Sequence, residues 1–267
     1  MGQLPSRPKK GAQFRVIGAG MCRTGTKTLN EALSILLDGP CHDSGIQSLG
    51  GSKHEIKTWL DIMDLAPRQH TPEDEEKMSW MIQSIFDGYV ATMDCPAASL
   101  VPEIMRAYPE AIVLVTTREQ ASWWKSMKNM NGMMSTWYLP VIVMWLRKAQ
   151  GYGEWGFKFQ ALSKWRYGSE GIREPTKAIH EEHIRQVVPP EKLFWYNVSE
   201  GWGPLCKILN VPIPDVPFPH NNSKTEAEKV WQRHVISGVS SWLFVVGVLL
   251  WTMYNVSGWL QETTIEV

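Results

Sequence analysis

Basic residues, glycine and threonine are concentrated in one short stretch near the beginning of the chain. Its members are Arg23, Thr24, Gly25, Thr26, Lys27 and Thr28. Residues 14–17 read as a buried strand, and residues 26–37 carry leucine and alanine at helical spacing. A loop that ends at a helix start directs backbone N–H groups and the positive end of the helix dipole at one point, where Arg23 and Lys27 add full charges. The pattern predicts a phosphate-binding loop.

Three kinds of nucleotide loop compete for this stretch. A P-loop NTPase has lysine directly after its second glycine, but Thr26 stands between Gly25 and Lys27, which turns the lysine about 100° around the helix. A dinucleotide-binding loop needs a third glycine where this chain has Arg23. The order basic residue, Thr, Gly, Thr at 23–26 resembles the 5′-phosphosulfate loop of sulfotransferases. In that family the loop holds the 5′-phosphate of 3′-phosphoadenosine 5′-phosphosulfate (PAPS). A glycine-bearing turn without a ligand is the remaining alternative.

An arginine and a serine eight residues apart form a second motif. Residues 111–117 read AIVLVTT, an apolar run typical of a buried parallel strand, and Arg118 follows it. This spacing resembles the sulfotransferase motif that binds the 3′-phosphate of the nucleotide. The resemblance therefore assigns Arg118 and Ser126 to that phosphate, for which a guanidinium group is a forked, permanently charged donor. Read alone, Arg118 could equally belong to a surface ion pair.

A carboxylate is the candidate base. Asp94 follows residues 89–93, which can form a short strand, and it begins the sequence Asp-Cys-Pro-Ala. Ligands of open α/β sheets bind at the carboxyl ends of the strands. Sulfuryl transfer needs a group that takes the proton of the acceptor. The motif resembles a sulfotransferase branch in which aspartate replaces the histidine of the best-known members. Asp94 could also cap the helix predicted at 97–107.

Two further features of the chain give weaker signals. Residues 192–198 read as another buried strand, and Tyr196 lies where sulfotransferases place an aromatic residue near the adenine. His180 and His183 are three residues apart in a helix predicted at 175–188, a spacing that a metal could use. Their acidic neighbours favour a solvated helix face instead.

The resemblance covers residues 12–222 and implies an α/β fold, a parallel sheet flanked by helices of the P-loop sulfotransferase type. It implies transfer of a sulfuryl group from PAPS to a hydroxyl or amine of a small acceptor, with PAP as product and no metal. The backbone N–H groups of residues 24–28 would hold the 5′-phosphate, Arg23 would stabilise the leaving phosphate, and Asp94 would accept the proton. The rival functions are a membrane-tethered scaffold that binds nucleotide without turnover, a P-loop kinase, and an NAD-dependent epimerase or reductase.

A segment close to the carboxyl terminus differs from the rest. Residues 235–254 contain no charge, and twenty helical residues span about 30 Å, the thickness of a bilayer core. Lys229 and Arg233 precede the segment, which predicts a single-pass anchor with the enzyme domain facing the cytosol. A buried C-terminal helix is the alternative. With an anchor, and with the apolar residues of 131–170, the acceptor is expected to be hydrophobic.

Composition limits the remaining functions. The 267 residues carry no net charge, which gives no support for nucleic-acid binding. The four cysteines are widely spaced and are expected to be reduced thiols. The expected organisation is a flexible arm without a signal sequence, the α/β domain, a linker, the transmembrane helix and a tail, at 1–12, 13–222, 223–234, 235–254 and 255–267. The acceptor, the membrane and the oligomeric state stay open.

Overall fold

The sheet at the centre of the protein is parallel throughout. The structure, a computed structural model, describes residues 5–134, 141–142, 152–220 and 223–265. Five strands are hydrogen-bonded in the order β2-β3-β1-β4-β5, and each neighbouring pair is parallel. The strands are β1 Val16–Gly18, β2 Cys41–Asp43, β3 Ala91–Met93, β4 Ile112–Thr116 and β5 Leu193–Tyr196.

Helices connect the strands and cover the sheet. They are α1 Thr26–Leu36, α2 Ser44–Gly50, α3 Lys53–Leu65, α4 Pro72–Phe86, α5 Val101–Ala107, α6 Gln120–Met134, α7 Tyr152–Tyr167, α8 Thr176–Val187, α9 Trp202–Leu209 and α10 Ser223–Ile265. The sequence predicts the start of α4, because Pro72 is followed by acidic residues at 73–76. Thr71 accepts a hydrogen bond from the Asp74 N–H in a capping box, and Pro72 begins the helix.

Both faces of the sheet are buried. Ile17 and Val113 belong to one apolar cluster, which packs against side chains of α3, α4, α5, α7 and α8. Val16 and Leu114 belong to a second cluster, which packs against α1 and α9. Strands covered on both faces read as apolar runs, as residues 111–117 do. The predicted α/β fold, a parallel sheet flanked by helices, is therefore confirmed.

The strand order changes direction at β1. The chain first builds outward to β2, returns through β3 to the side of β1, and then crosses to β4 on its other side. In open α/β sheets the crevice outside the carboxyl ends of the strands at such a point binds ligands. The segment after β1, the segment after β3 and the segment after β4 all leave the sheet at this end.

Residues 38–53 predict a loop when they are read in the sequence alone, and this prediction is wrong. The structure forms β2 and α2 there. Strand β2 reads Cys-His-Asp, so it lacks the apolar run that marks a buried strand in a sequence. The polar ring of His42 is accommodated in this buried strand because both of its nitrogens have partners. Nε2 lies 2.8 Å from Glu55 Oε1, and Nδ1 lies 3.2 Å from Ser44 Oγ.

The two ends of the chain differ from the expected arm and linker. Residues 1–4 lie outside the described residues, but Ser6 Oγ donates to Cys41 O (2.7 Å) and the Lys9 N–H donates to Gly88 O (2.8 Å). Helix α10 begins at Ser223 and runs through residues 223–234. Within the described residues, one helix is long and apolar enough to cross a membrane, at Val235–Val256, with a mean hydropathy of 1.9.

The apolar side chains of that helix are largely uncovered. Leu243 and Phe244 are 69% and 73% exposed. One contact with the preceding part of the chain is made by Trp242, whose Nε1 donates to Val141 O at 2.8 Å. Most of the apolar segment at 137–146, and with it much of the region expected near the acceptor, lies outside the described residues.

Candidate functional site

The segment after β1 packs tightly on the end of β4. A Cβ atom added to Gly20 would overlap the side chain and the backbone nitrogen of Thr116. Thr24 is buried, and its hydroxyl donates to Met21 O at 2.6 Å and also hydrogen-bonds the Thr116 hydroxyl. The Thr24 N–H donates to Met21 O at 3.2 Å, so it closes the turn in this structure. Glycine and threonine are therefore needed here for the loop to fit the sheet.

The first turn of α1 is open for an anion. Gly25, the N-cap residue, has a φ of 107°, and in the described part of the chain no side chain caps this eleven-residue helix. Lys27 lies in the first turn and Thr28 is buried behind it. Helix N–H groups and the helix dipole favour a phosphate at such an end. These features fit a nucleotide phosphate group.

Two arginines and one serine meet beside this turn. Arg23 has a φ of 71°. Its Nε donates to Ser126 Oγ at 3.0 Å. Arg118 Nη1 donates to the carbonyl oxygen of Arg23 at 2.9 Å, and its Nε and Nη2 donate to Ser122 Oγ at 3.2 and 3.0 Å. The structure thus brings Arg23, Arg118 and Ser126 together, with Ser126 hydrogen-bonded to Arg23.

Asp94 lies at the carboxyl end of β3, next to α1. Its Oδ1 accepts the N–H of Cys95 at 2.7 Å, and its Oδ2 accepts the hydroxyl of Thr26 at 3.2 Å. Burial raises the pKa of Asp94, while these two hydrogen bonds and the charges of Lys27 and Arg23 act in the opposite direction. The carboxylate is held by the phosphate loop rather than used as a helix cap.

A second carboxylate, which the sequence did not single out, lies at the end of β2. Asp43 is 5% exposed, and its Oδ1 accepts the Ile46 N–H at 3.0 Å as the N-cap of α2. Its Oδ2 is buried and has no hydrogen-bond partner among the described residues. Burial raises the pKa of Asp43 to about 7, and the charge of Asp94 adds to this shift. The sequence pattern indicates Asp43 only weakly, because this residue belongs to a strand of three residues.

The expectation that His180 lies on a solvated helix face is wrong. The ring is 1% exposed, its Nε2 lies 2.6 Å from the Ala19 carbonyl oxygen, and its Nδ1 lies 3.1 Å from Tyr167 Oη. Burial lowers the pKa of His180 to about 4, so the ring is neutral and Nε2–H donates to Ala19. Trp123 Nε1 makes a similar bond to Cys22 O at 2.9 Å. Both residues hold the loop by its backbone.

Tyr196 lies at the carboxyl end of β5 but faces the protein interior. The residue is 1% exposed, its ring belongs to the same apolar cluster as Trp202, and its hydroxyl donates to Gly201 O at 2.8 Å. An adenine contact by this side chain stays a prediction.

Three side chains that could bind a metal also meet here. Single ligand atoms of Cys22, Asp94 and Cys95 lie within 4.8 Å of one another. A hydrogen bond with Cys95, followed by burial, raises the pKa of Cys22 well above its ordinary value, which disfavours the thiolate that a metal needs. Arg23 and Lys27 add positive charge at the same place. The spacing alone therefore assigns no metal, and a reaction without metal stays a prediction.

Comparison with known proteins agrees with this fold. The family model described as a sulfotransferase domain matches residues 15–227. The Ava biosynthesis cluster protein M of Aspergillus versicolor is 27% identical over 236 residues, which cover 82% of this chain and 87% of that protein. Since the family model matches well over half of the chain, the protein belongs to the sulfotransferase domain family.

Proposed function

We propose that this protein transfers a sulfuryl group from PAPS to a hydroxyl or amine of a small, hydrophobic acceptor and releases PAP. The observation that carries the proposal is the meeting of three separate motifs at one end of the sheet. Arg23 and Ser126 are hydrogen-bonded, Arg118 holds the carbonyl of Arg23, and Thr26 holds Asp94. Membership of the sulfotransferase domain family supports the same reaction class.

The donor would be bound by its two phosphate ends. The open first turn of α1, from Gly25 to Thr28, suits the 5′-phosphosulfate because its N–H groups and dipole favour an anion. Arg118 and Ser126 are assigned to the 3′-phosphate, and both lie beside Arg23. Glycine at position 20 keeps the loop close to β4, so the two phosphate sites keep a fixed separation.

The transfer step needs a base and a stabiliser of negative charge. Asp94 takes the proton of the acceptor as the acceptor oxygen or nitrogen bonds to sulfur. The bond from sulfur to the phosphate oxygen breaks, and its electron pair leaves with the phosphate of PAP. Arg23, together with Lys27, stabilises that charge from fixed positions, so the side chains supply positive charge that a metal supplies in kinases.

The anchor supports an acceptor that partitions into membranes. We assign Val235–Val256 to a bilayer-spanning helix because its apolar side chains are exposed, with only 6% of the segment buried within the protein. The basic residues before it favour a cytosolic enzyme domain. The name of the Aspergillus relative assigns that protein to a biosynthesis cluster, which is in keeping with a small-molecule acceptor.

Calorimetric titration of the full chain in detergent with PAP tests the donor site. We expect micromolar binding, loss of binding in Arg118→Ala, and unchanged binding in Arg68→Ala, whose exposed arginine pairs with Asp64 on α3. Binding of ATP or NAD with no binding of PAP would overturn the proposal.

Labelled PAPS with a panel of sterols, phenols and amines tests the reaction. Label transfer to one of these classes supports the proposal, and transfer to polar sugars alone would remove the hydrophobic acceptor from it. Tight PAP binding with no transfer to any acceptor would favour a nucleotide-binding scaffold instead.

A further inference from the structure

Two acidic side chains flank one glycine at the edge of the candidate site. Asp43 ends β2 in register with Met93 of β3, and Asp94 is the next residue of that segment. A Cβ atom added to Gly45 would lie 3.4 Å from Asp43 Oδ1 and 3.5 Å from Asp94 Oδ2. The two carboxylates, which come from neighbouring strands, therefore both lie within van der Waals reach of one point beside Gly45.

We propose that Asp43 is a positioning residue for the reaction: it holds the one proton that the carboxyl pair keeps, so that the single negative charge of the pair lies on Asp94, the base. Lys27 then balances the single negative charge of the pair. This inference rests on the proposed function, because it gives Asp43 a role in the proton transfer that Asp94 carries out.

The hydrogen bonds of the two carboxylates decide where the proton lies. Asp94 has a donor on each oxygen, Cys95 N–H on Oδ1 and the Thr26 hydroxyl on Oδ2. Asp43 accepts the Ile46 N–H on Oδ1 and interacts with the Gly45 backbone, but its buried Oδ2 has no hydrogen-bond partner among the described residues. A buried ionised oxygen without a donor is costly, whereas a protonated one carries no charge. Asp43 is therefore the better place for the proton.

The charged groups around the pair agree with one negative charge. Lys27 of α1 acts on both carboxylates, and Arg23 acts on Asp94. Burial raises the pKa of both carboxyl groups, and the negative charge of Asp94 raises the pKa of Asp43 further. Among the described residues, the thiols of Cys22 and Cys95 lie near Asp94 and the thiol of Cys41 interacts with Asp43. A hydrogen bond with Cys95 and burial raise the pKa of Cys22, and burial raises that of Cys41. The positive charge of Lys27 is thus matched by the one negative charge of the carboxyl pair.

The proton on Asp43 is neither consumed nor moved in the transfer step itself. The proton of the acceptor moves to Asp94 as the new bond to sulfur forms, and the electron pair of the broken S–O bond leaves with PAP. The pair then holds two protons beside the positive Lys27, which favours release of one to water. Asp43 keeps its proton, and Asp94 is ionised for the next acceptor.

Carboxyl titration by NMR tests this arrangement without an acceptor. The full chain in detergent is labelled with ¹³C at the aspartate carboxyl carbons, and Asp43→Asn and Asp94→Asn identify the two signals. Asparagine keeps an oxygen that can cap α2, so Asp43→Asn removes charge while the cap is retained. Asp38→Asn is the control, because that exposed residue pairs with Lys9 at the opposite end of the sheet.

We expect the two signals to titrate together, with a step near neutral pH. In Asp43→Asn the step near neutral pH is lost from the Asp94 signal, because the remaining carboxyl group titrates alone and at lower pH, and in Asp38→Asn nothing changes. Independent titration of both carboxyl groups below about pH 5 would overturn the inference.

Kinetics and PAP binding separate this inference from the proposed function. With an acceptor from the panel, Asp43→Asn lowers kcat and shifts the pH profile, while KM for PAPS and PAP affinity are unchanged. An unchanged pH profile in Asp43→Asn overturns the role of Asp43, although the chain still binds PAP and transfers sulfate. If the chain shows the coupled titration but binds no PAP, the carboxyl pair is supported and the proposed function is contradicted.

Discussion

The guanidinium Nε of Arg23 donates a hydrogen bond to Ser126 Oγ, 3.0 Å away, and so joins the segment after β1 to helix α6. The two residues are 103 positions apart in the sequence. They belong to different motifs, one proposed for the 5′-phosphosulfate and the other for the 3′-phosphate. The contact joins the two segments that carry these motifs.

We expect Ser126→Ala to weaken PAP binding by about tenfold, because the variant removes a hydrogen bond to Arg23 and a donor for the 3′-phosphate. Calorimetry with PAP measures the effect. Ser84→Ala is the matched control, since its hydroxyl donates to Met81 O within α4. Equal affinities of Ser126→Ala and the parent would contradict the assignment of Ser126.

We expect Asp94→Asn to lower the transfer rate by about 100-fold or more and to leave PAP binding within about twofold of the parent, because general-base catalysis contributes to the rate and not to donor binding. Initial rates with labelled PAPS and an acceptor from the panel measure this. Asp61→Asn, which removes an exposed partner of Lys57, is the control. Full activity in Asp94→Asn would show that another group takes the proton.

We expect acid to destabilise the protein through His180. Its pKa is lowered to about 4 by burial, below the ordinary value of 6.5, so the stabilisation is present above about pH 6.5 and is lost as the pH falls towards 4. The free energy of unfolding should decrease by about 2 kcal/mol between pH 7 and pH 5 from this group. Denaturant unfolding at both pH values measures it. In His180→Gln the decrease should be smaller, and an identical decrease would assign the effect to other groups.

We expect Gly20→Ala to disrupt the phosphate loop, since the added methyl group would overlap Thr116 at the end of β4. Overpacking of this kind costs about 1–3 kcal/mol, and PAP binding should be lost with it. Gly132→Ala is the control, because a Cβ atom there meets nothing within 4 Å on α6. A lower Tm and lost binding in the first variant, with neither change in the second, is the expected result.

We expect a chain that ends at residue 232 to remain in the supernatant after centrifugation of cell membranes, whereas the full chain sediments with them. The deletion removes the exposed apolar segment Val235–Val256 and leaves the sheet intact. Extraction of the full chain by carbonate at high pH, without detergent, would contradict a bilayer-spanning helix.

The parts of the molecule that the sequence predicted have local causes. Helix α4 is marked by its capping box, and the buried strand β4 by an apolar run. The order of residues at 23–28 and the spacing from Arg118 to Ser126 drew attention to the segments that meet in the structure. The predicted phosphate and adenine contacts themselves stay predictions.

The parts that the sequence did not predict depend on distant partners. Asp43 has its significance only because β2 pairs with β3, which places it beside Asp94. His180 is buried because Ala19, 161 positions away, offers a carbonyl oxygen to its ring. Neither relation leaves a periodic pattern or a motif of fixed spacing, so reading along the chain could not identify them.

Helix α10 continues without a break from Ser223 into the candidate span. Residues 223–234 therefore form a stiff stalk of about 18 Å rather than a flexible tether. The bond from Trp242 to Val141 O adds a second point of attachment, within the candidate span itself. An enzyme domain mounted in this way would work at a set height and tilt above the bilayer, so acceptors diffusing in two dimensions would meet it in one orientation.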